Sequence, residues 1–155
     1  MFAPDLLKSK RILITGGGTG LGKAMASRFL DLGATVYICG RREEVLSATS
    51  AELSPKGPIH AIPCDVRSLE SVEQMLQTIW KDGLLDILVN NAAGNFIART
   101  EKLTPNAFNA VVGIVLNGTF NCTQAFGKRW IARKVAGNIL NQSPAIQPAR
   151  GGCLP

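Results

Sequence analysis

The chain has 155 residues, 46% of them hydrophobic and 18% charged, and carries a formal charge of +6. That balance suits one compact globular domain with a sizeable core. Its four cysteines, Cys39, Cys64, Cys122 and Cys153, share no short spacing, which argues against a zinc cluster or any other metal site and against a disulfide framework.

Short apolar runs alternate with helical patterns. "RILIT" (Arg11–Thr15) reads as a buried strand, and Leu21, Met25, Phe29 and Leu32 follow at helical spacing until Gly33. "TVYIC" (Thr35–Cys39) is a second strand, "RREEVLSATSAEL" a charged helix, and "IHAIPC" a third strand. Val72, Met75, Leu76 and Ile79 form the apolar stripe of an amphipathic helix. "LLDILVN" is a fourth strand, and Thr104 caps a further helix with Pro105 at its first position. Phe108, Val111, Val112 and Val115 are expected on the core face of that helix, whose continuity Gly113, Gly118 and Gly127 put in question. "GNILN" (Gly137–Asn141) is a fifth strand.

Five strands alternating with four helices predict an α/β fold, a doubly wound, Rossmann-like parallel sheet covered on both faces. The organisation expected is the N-terminal part of a dinucleotide-binding domain over residues 1–141, then an irregular, Pro/Gly-rich tail over 142–155. A doubly wound sheet normally continues past its fifth strand, so the sheet is expected to be incomplete and the chain truncated or frame-shifted, with exposed apolar surface and reduced stability.

No segment approaches the ~20 apolar residues of a membrane span, and "MFAPDLLKSKR" has no apolar stretch of signal-peptide length. A reduced, soluble, cytoplasmic protein with no membrane partner is expected. The basic residues are scattered apart from Lys8–Arg11 and Lys128–Lys134, without interleaved aromatics, so no nucleic-acid partner is expected. A phosphate-bearing small molecule explains the positive balance equally well.

"ILITGGGTGLGKA" (Ile12–Ala24) sets a strand, a glycine turn and a helix in line, the arrangement that points backbone N–H groups at a phosphate. "GGTGLGKA" nearly matches the triphosphate-binding pattern GxxxxGK[ST]. Ala24, however, stands where the magnesium-binding hydroxyl belongs. A glycine turn without a ligand is the bland alternative. The spacing present is T-G-x-x-x-G-x-G, through Thr15, Gly16, Gly20 and Gly22. In this it resembles the cofactor loop of the short-chain dehydrogenase/reductase family.

An NAD-binding protein places an acid on the ribose 2′-hydroxyl at the end of the second strand. Here the chain reads Gly40, Arg41, Arg42. Guanidinium groups grip a 2′-phosphate that a carboxylate would repel, so NADP(H) is favoured over NAD(H). The alternative for the arginines is a solvated helix start, although cations are unfavourable there. "CDV" (Cys64–Val66) and "NNAAGNF" (Asn90–Phe96) follow the third and fourth strands in family order, and Asp65 has a competing reading as a helix N-cap, with Ser68 a rival for that place. "ITGGGTGLG", "NNAAGNF" and "VLNGT" together look most like the 2,4-dienoyl-CoA reductase branch.

The resemblance implies an NADPH-dependent oxidoreductase reducing an enoyl- or dienoyl-CoA-like thioester in fatty-acid breakdown. Cofactor contacts are implied for Thr15, Gly16, Thr19, Gly20, Leu21 and Gly22 in the loop, where the glycines accommodate the pyrophosphate. They extend to Arg41 and Arg42 at the 2′-phosphate, Asp65 and Val66 at the adenine, and Asn91, Ala92 and Ala93 at the nicotinamide riboside. Asn117 matches the active-site Asn of the family. The resemblance also implies a homo-oligomer, built partly from a helix that this chain does not show.

The family's proton donor is a Tyr supported by a Lys beyond the fifth strand. Tyr37 is the only tyrosine, inside the second strand, and no lysine follows Lys134. A non-catalytic nucleotide-binding fragment is therefore the alternative reading. Ser143 lies near a family Ser but in an unsure register, and the lone His60 reads as structural.

Overall fold

The computed structural model describes residues 2–3, 5–94 and 98–143. Asn95, Phe96, Cys153 and the tail from residue 144 onward lie outside them. Five strands, β1 (Arg11–Thr15), β2 (Thr35–Gly40), β3 (Ile59–Pro63), β4 (Ile87–Asn90) and β5 (Asn138–Asn141), form one parallel sheet in the order β3-β2-β1-β4-β5. The register runs Arg11↔Thr35 to Thr15↔Cys39 between β1 and β2, and Ile12↔Ile87 to Ile14↔Val89 between β1 and β4. Successive strands move outward from β1 and then return to its other side, which makes the β1/β4 boundary the topological switch point, where open α/β sheets bind ligands.

Side chains alternate across each strand, so both faces of the central strands are buried. Ile12, Ile14, Val36 and Ile38 pack under α1 (Gly20–Asp31) and α2 (Glu43–Leu53), against Ala26, Leu30, Leu46 and Leu53. Leu13, Tyr37, Cys39 and Leu88 pack on the opposite face, against α3 (Leu69–Lys81) and α5 (Gly118–Arg133). Cys64 and Cys122 join this second core, as small buried residues. The stripe of Val72, Met75, Leu76 and Ile79 on α3 is buried as expected, and Ser68, not Asp65, caps that helix through the Ser71 N–H.

The apolar spacing along α1 marks its buried side only at Leu32, and the expected core face of α4 is corrected. On α1 the sheet-facing residues are Gly22, Ala26 and Leu30, while Leu21 is 52% exposed and Met25 and Phe29 are only partly buried. Close approach of the helix start to the sheet leaves room only for small side chains, so the larger ones turn to the flanks. On α4 (Pro105–Val112) the buried residue is Ala107, while Phe108 and Val115 are exposed and Val111 and Val112 half-buried. Thr104 caps the helix as expected, with Pro105 at its first position.

Beyond α4 the chain passes through a single π-helical turn, Gly113–Asn117, and continues directly as α5. This wider turn inserts an extra residue into the helical phase, so α4 and α5 do not share one apolar stripe. The three glycines leave the helix unbroken, and it ends at Lys134 in a left-handed conformation. Apolar surface stays exposed at Phe108, Leu116 and Phe120, and along β5 at Ile139 and Leu140. No helix of the described residues is long and apolar enough to cross a membrane.

Candidate functional site

The site is built at the ends of β1 and β4. Thr15 closes β1 at 2% exposure, and its hydroxyl accepts the N–H groups of Asn91 (3.0 Å) and Ala92 (2.9 Å) while donating to the Val89 carbonyl. The Asn91 amide donates in return to the carbonyls of Thr15 (3.0 Å) and Gly16 (3.2 Å). The preceding Asn90 ties β4 to β5 and α5, donating to Asn141 Oδ1 and Thr123 Oγ1. The two asparagines therefore brace neighbouring strands, as small polar groups at a strand end can.

The glycine loop is packed against this bracing. Gly16 has φ +67°, and a Cβ there would come within 3.0 Å of the Ala92 Cα. A Cβ on Gly22 would collide with the Gly16 carbonyl and sit 2.7 Å from the Asn91 amide nitrogen. Thr19 occupies the N-cap of α1 without a side-chain hydrogen bond, and the first amide to bond back is Lys23 N–H to the Thr19 carbonyl. Among the described residues the N–H groups of Gly20, Leu21 and Gly22 therefore have no protein acceptor. Free amides at a helix N-terminus suit a phosphate, so the loop fits a dinucleotide pyrophosphate.

These elements enclose a cleft of about 360 Å³, within the range of small-molecule sites. Gly16, Thr19, Gly20, Leu21 and Gly22 line one side, Arg41 and Arg42 another, and Asp65, Val66, Asn91, Ala92 and Ala93 the rest. Both arginines precede α2, which starts at Glu43, and neither has an ion-pair partner among the described residues. Asp65 is committed to Arg67, whose Nε and Nη2 reach its carboxylate at 2.9 and 2.6 Å and whose backbone N–H adds a third contact at 3.0 Å. The Arg67 side chain, with its backbone N–H and the charge of Arg41, holds the Asp65 carboxyl below the usual carboxylate range against the opposing effect of burial.

Thr15 does not line the cleft; it acts from beneath as the clasp of β1 and β4. Asn117 is exposed at the end of the π turn, and the residue of that turn that reaches the cleft is Ile114. Seven further residues line the cleft beyond those assigned from the motifs: Gly18, Cys39, Gly40, Val45, Leu46, Cys64 and Ile114. Gly40 closes β2 directly before Arg41, Cys39 precedes it in that strand, and Cys64 follows the end of β3 directly before Asp65, positions that the strand ends mark. Cys39 is held well above the usual thiol range by its hydrogen bond to Cys64 and by burial. Among the described residues no His/Cys/Asp/Glu group could hold a metal ion.

Tyr37 and His60 lie apart from the cleft. The Tyr37 hydroxyl bonds to the Arg11 guanidinium and, at 3.4 Å, to Asp82, while its ring stacks on the exposed His60 ring at 4.8 Å.

Known proteins share this arrangement. A "probable 2,4-dienoyl-CoA reductase" of Bacillus subtilis is 46% identical over 139 residues, covering 88% of this chain and 55% of that protein. A short chain dehydrogenase crystal structure from Bacillus anthracis superimposes with a TM-score of 0.81 at 46% identity, over 85% of this chain and 56% of that one. A metagenomic short-chain oxidoreductase solved in complex with NADP gives a TM-score of 0.79 at 27% identity, over 92% and 65%. The chain spans about half the length of the curated relatives it matches. The family model for short chain dehydrogenases matches residues 10–147, and the chain belongs to that family.

Proposed function

We propose that the cleft binds NADP(H) and that the chain serves an oxidoreductase reducing an enoyl- or dienoyl-CoA-like thioester in fatty-acid breakdown. The observation that carries the cofactor choice is the pair Arg41 and Arg42, lining the cleft just past β2 without an ion-pair partner among the described residues. A 2′-phosphate there meets two guanidinium groups and no carboxylate at the end of β2. The free amides of Gly20, Leu21 and Gly22 receive the pyrophosphate, and the backbone of Ala92 and Ala93 lies against the nicotinamide riboside. When bound, NADPH supplies the hydride of the reduction. Asn117 is assigned to the reacting end of the site. The substrate class rests on the reductases this chain is similar to.

A second reading, dinucleotide binding without turnover, is favoured by one observation. The only tyrosine is buried in β2 with its hydroxyl bonded to Arg11 and Asp82, away from the cleft.

Calorimetric titration with NADPH and NADH, followed by an NADPH-oxidation assay with a dienoyl-CoA, tests both readings. Charge-assisted bonds of about 1.5–3 kcal/mol to the 2′-phosphate predict NADPH binding at least tenfold tighter than NADH. Arg41→Ala/Arg42→Ala abolishes that preference. Equal affinities for the two cofactors would refute the NADP assignment, and binding without NADPH oxidation would select the second reading.

A further inference from the structure

We infer that Thr49, on the buried side of α2, is a positioning residue that keeps the amides of the glycine loop free for the pyrophosphate; this rests on the dinucleotide reading above. Thr49 is 3% exposed, and its hydroxyl donates to the Gly18 carbonyl at 2.8 Å. A polar group so buried needs a partner, and the one it takes has a consequence for α1. α1 opens after Thr19, whose extended backbone (φ −150°, ψ 169°) takes the Gly18 carbonyl out of the helical line. The ladder therefore begins with Lys23 N–H on the Thr19 carbonyl at 3.2 Å. Thr49 holds the Gly18 carbonyl on the α2 side, and the Gly22 N–H is left without a protein acceptor.

The surroundings fix this orientation. The N–H groups of Gly16 and Gly17 both bond the Cys39 carbonyl, which anchors the first half of the loop to β2. Gly18 is packed against α2 so closely that a Cβ would lie 3.2 Å from Val45 Cγ1 and 3.3 Å from Leu46 Cδ2. Arg41 and Arg42 lie directly before the same helix. α2 therefore meets the ligand twice: through the arginines at its start, and through Thr49 acting on the loop.

The experiment compares Thr49→Val, of the same shape but without the donor, with Thr49→Ser, which restores it. Each variant of the full chain is titrated with NADPH and with adenosine 2′-monophosphate, which lacks the pyrophosphate. Thr49→Val is expected to weaken NADPH roughly fivefold, the worth of one hydrogen bond. Adenosine 2′-monophosphate is expected to be unaffected and Thr49→Ser to bind NADPH like the wild type. Arg42→Ala provides the contrasting pattern, weakening both ligands, since both carry the 2′-phosphate. Equal weakening of both ligands by Thr49→Val, or no weakening of NADPH, overturns the inference. A wild-type chain that binds neither NADPH nor NADH overturns instead the dinucleotide reading beneath it.

Discussion

Replacing Thr15 with Val removes one oxygen and almost no volume, at the point where β1 meets the end of β4. The lost hydroxyl accepts two backbone N–H groups, of Asn91 at 3.0 Å and Ala92 at 2.9 Å, on a side chain 2% exposed. Each such bond contributes about 1 kcal/mol net, so the variant is expected to lose about 2 kcal/mol. In a domain of this size that corresponds to a fall of about 4–8 °C in melting temperature. Thr15→Ser keeps the oxygen and gives up one methyl, a loss of about 0.8 kcal/mol. Circular-dichroism melts report the global effect, and amide hydrogen exchange at Asn91 and Ala92 reports the local one. Both amides should exchange faster in Thr15→Val and remain protected in Thr15→Ser. Unchanged protection in the valine variant would refute the clasp, whatever the melting temperature does.

Two further outcomes follow from pairs described above. The depressed Asp65 pKa means that its link to Arg67 contributes stability in full above the ordinary carboxylate value of about 3.9, and loses it as pH falls through the lower folded value. Urea unfolding of wild type and Arg67→Ala should therefore converge as pH drops from about 6 toward about 2, and a constant difference across that range would contradict the pairing. Trp130, 6% exposed, donates its indole N–H to the Leu85 carbonyl at 2.7 Å. Trp130→Phe should lower unfolding free energy by about 1–2 kcal/mol, measured by urea denaturation, and a loss below about 0.5 kcal/mol would count against that bond.

The strands β1 and β2 were legible because they are buried on both faces: Ile12–Ile14 and Val36–Cys39 are unbroken apolar runs, and no helix of that length explains them. α3 was legible because its stripe keeps a strict helical period. The sheet-facing side of α1 was not legible, because Gly22 and Ala26 carry little apolar side chain whereas the conspicuous Leu21 faces outward. The motif residues of the cleft could be read off strand ends, but its wall from Val45 and Leu46 follows from the angle at which α2 docks, and Ile114 from the π turn. The pairing of Asp65 with Arg67 depends on the path of the loop after β3, which two-residue spacing alone does not determine.

The π turn at Gly113–Asn117 makes the long helix behave as two gears joined with one tooth of slip. Ile114, at its near end, is set against the cleft; Cys122, Phe126 and Trp130, beyond it, are set against the sheet. Each α-helical residue turns the axis by about 100°. Deleting one residue of α5 between the turn and Trp130 would thus swing Trp130 away from the Leu85 carbonyl while leaving Thr104 and Pro105 untouched. Length, more than side-chain identity, is what this segment must preserve.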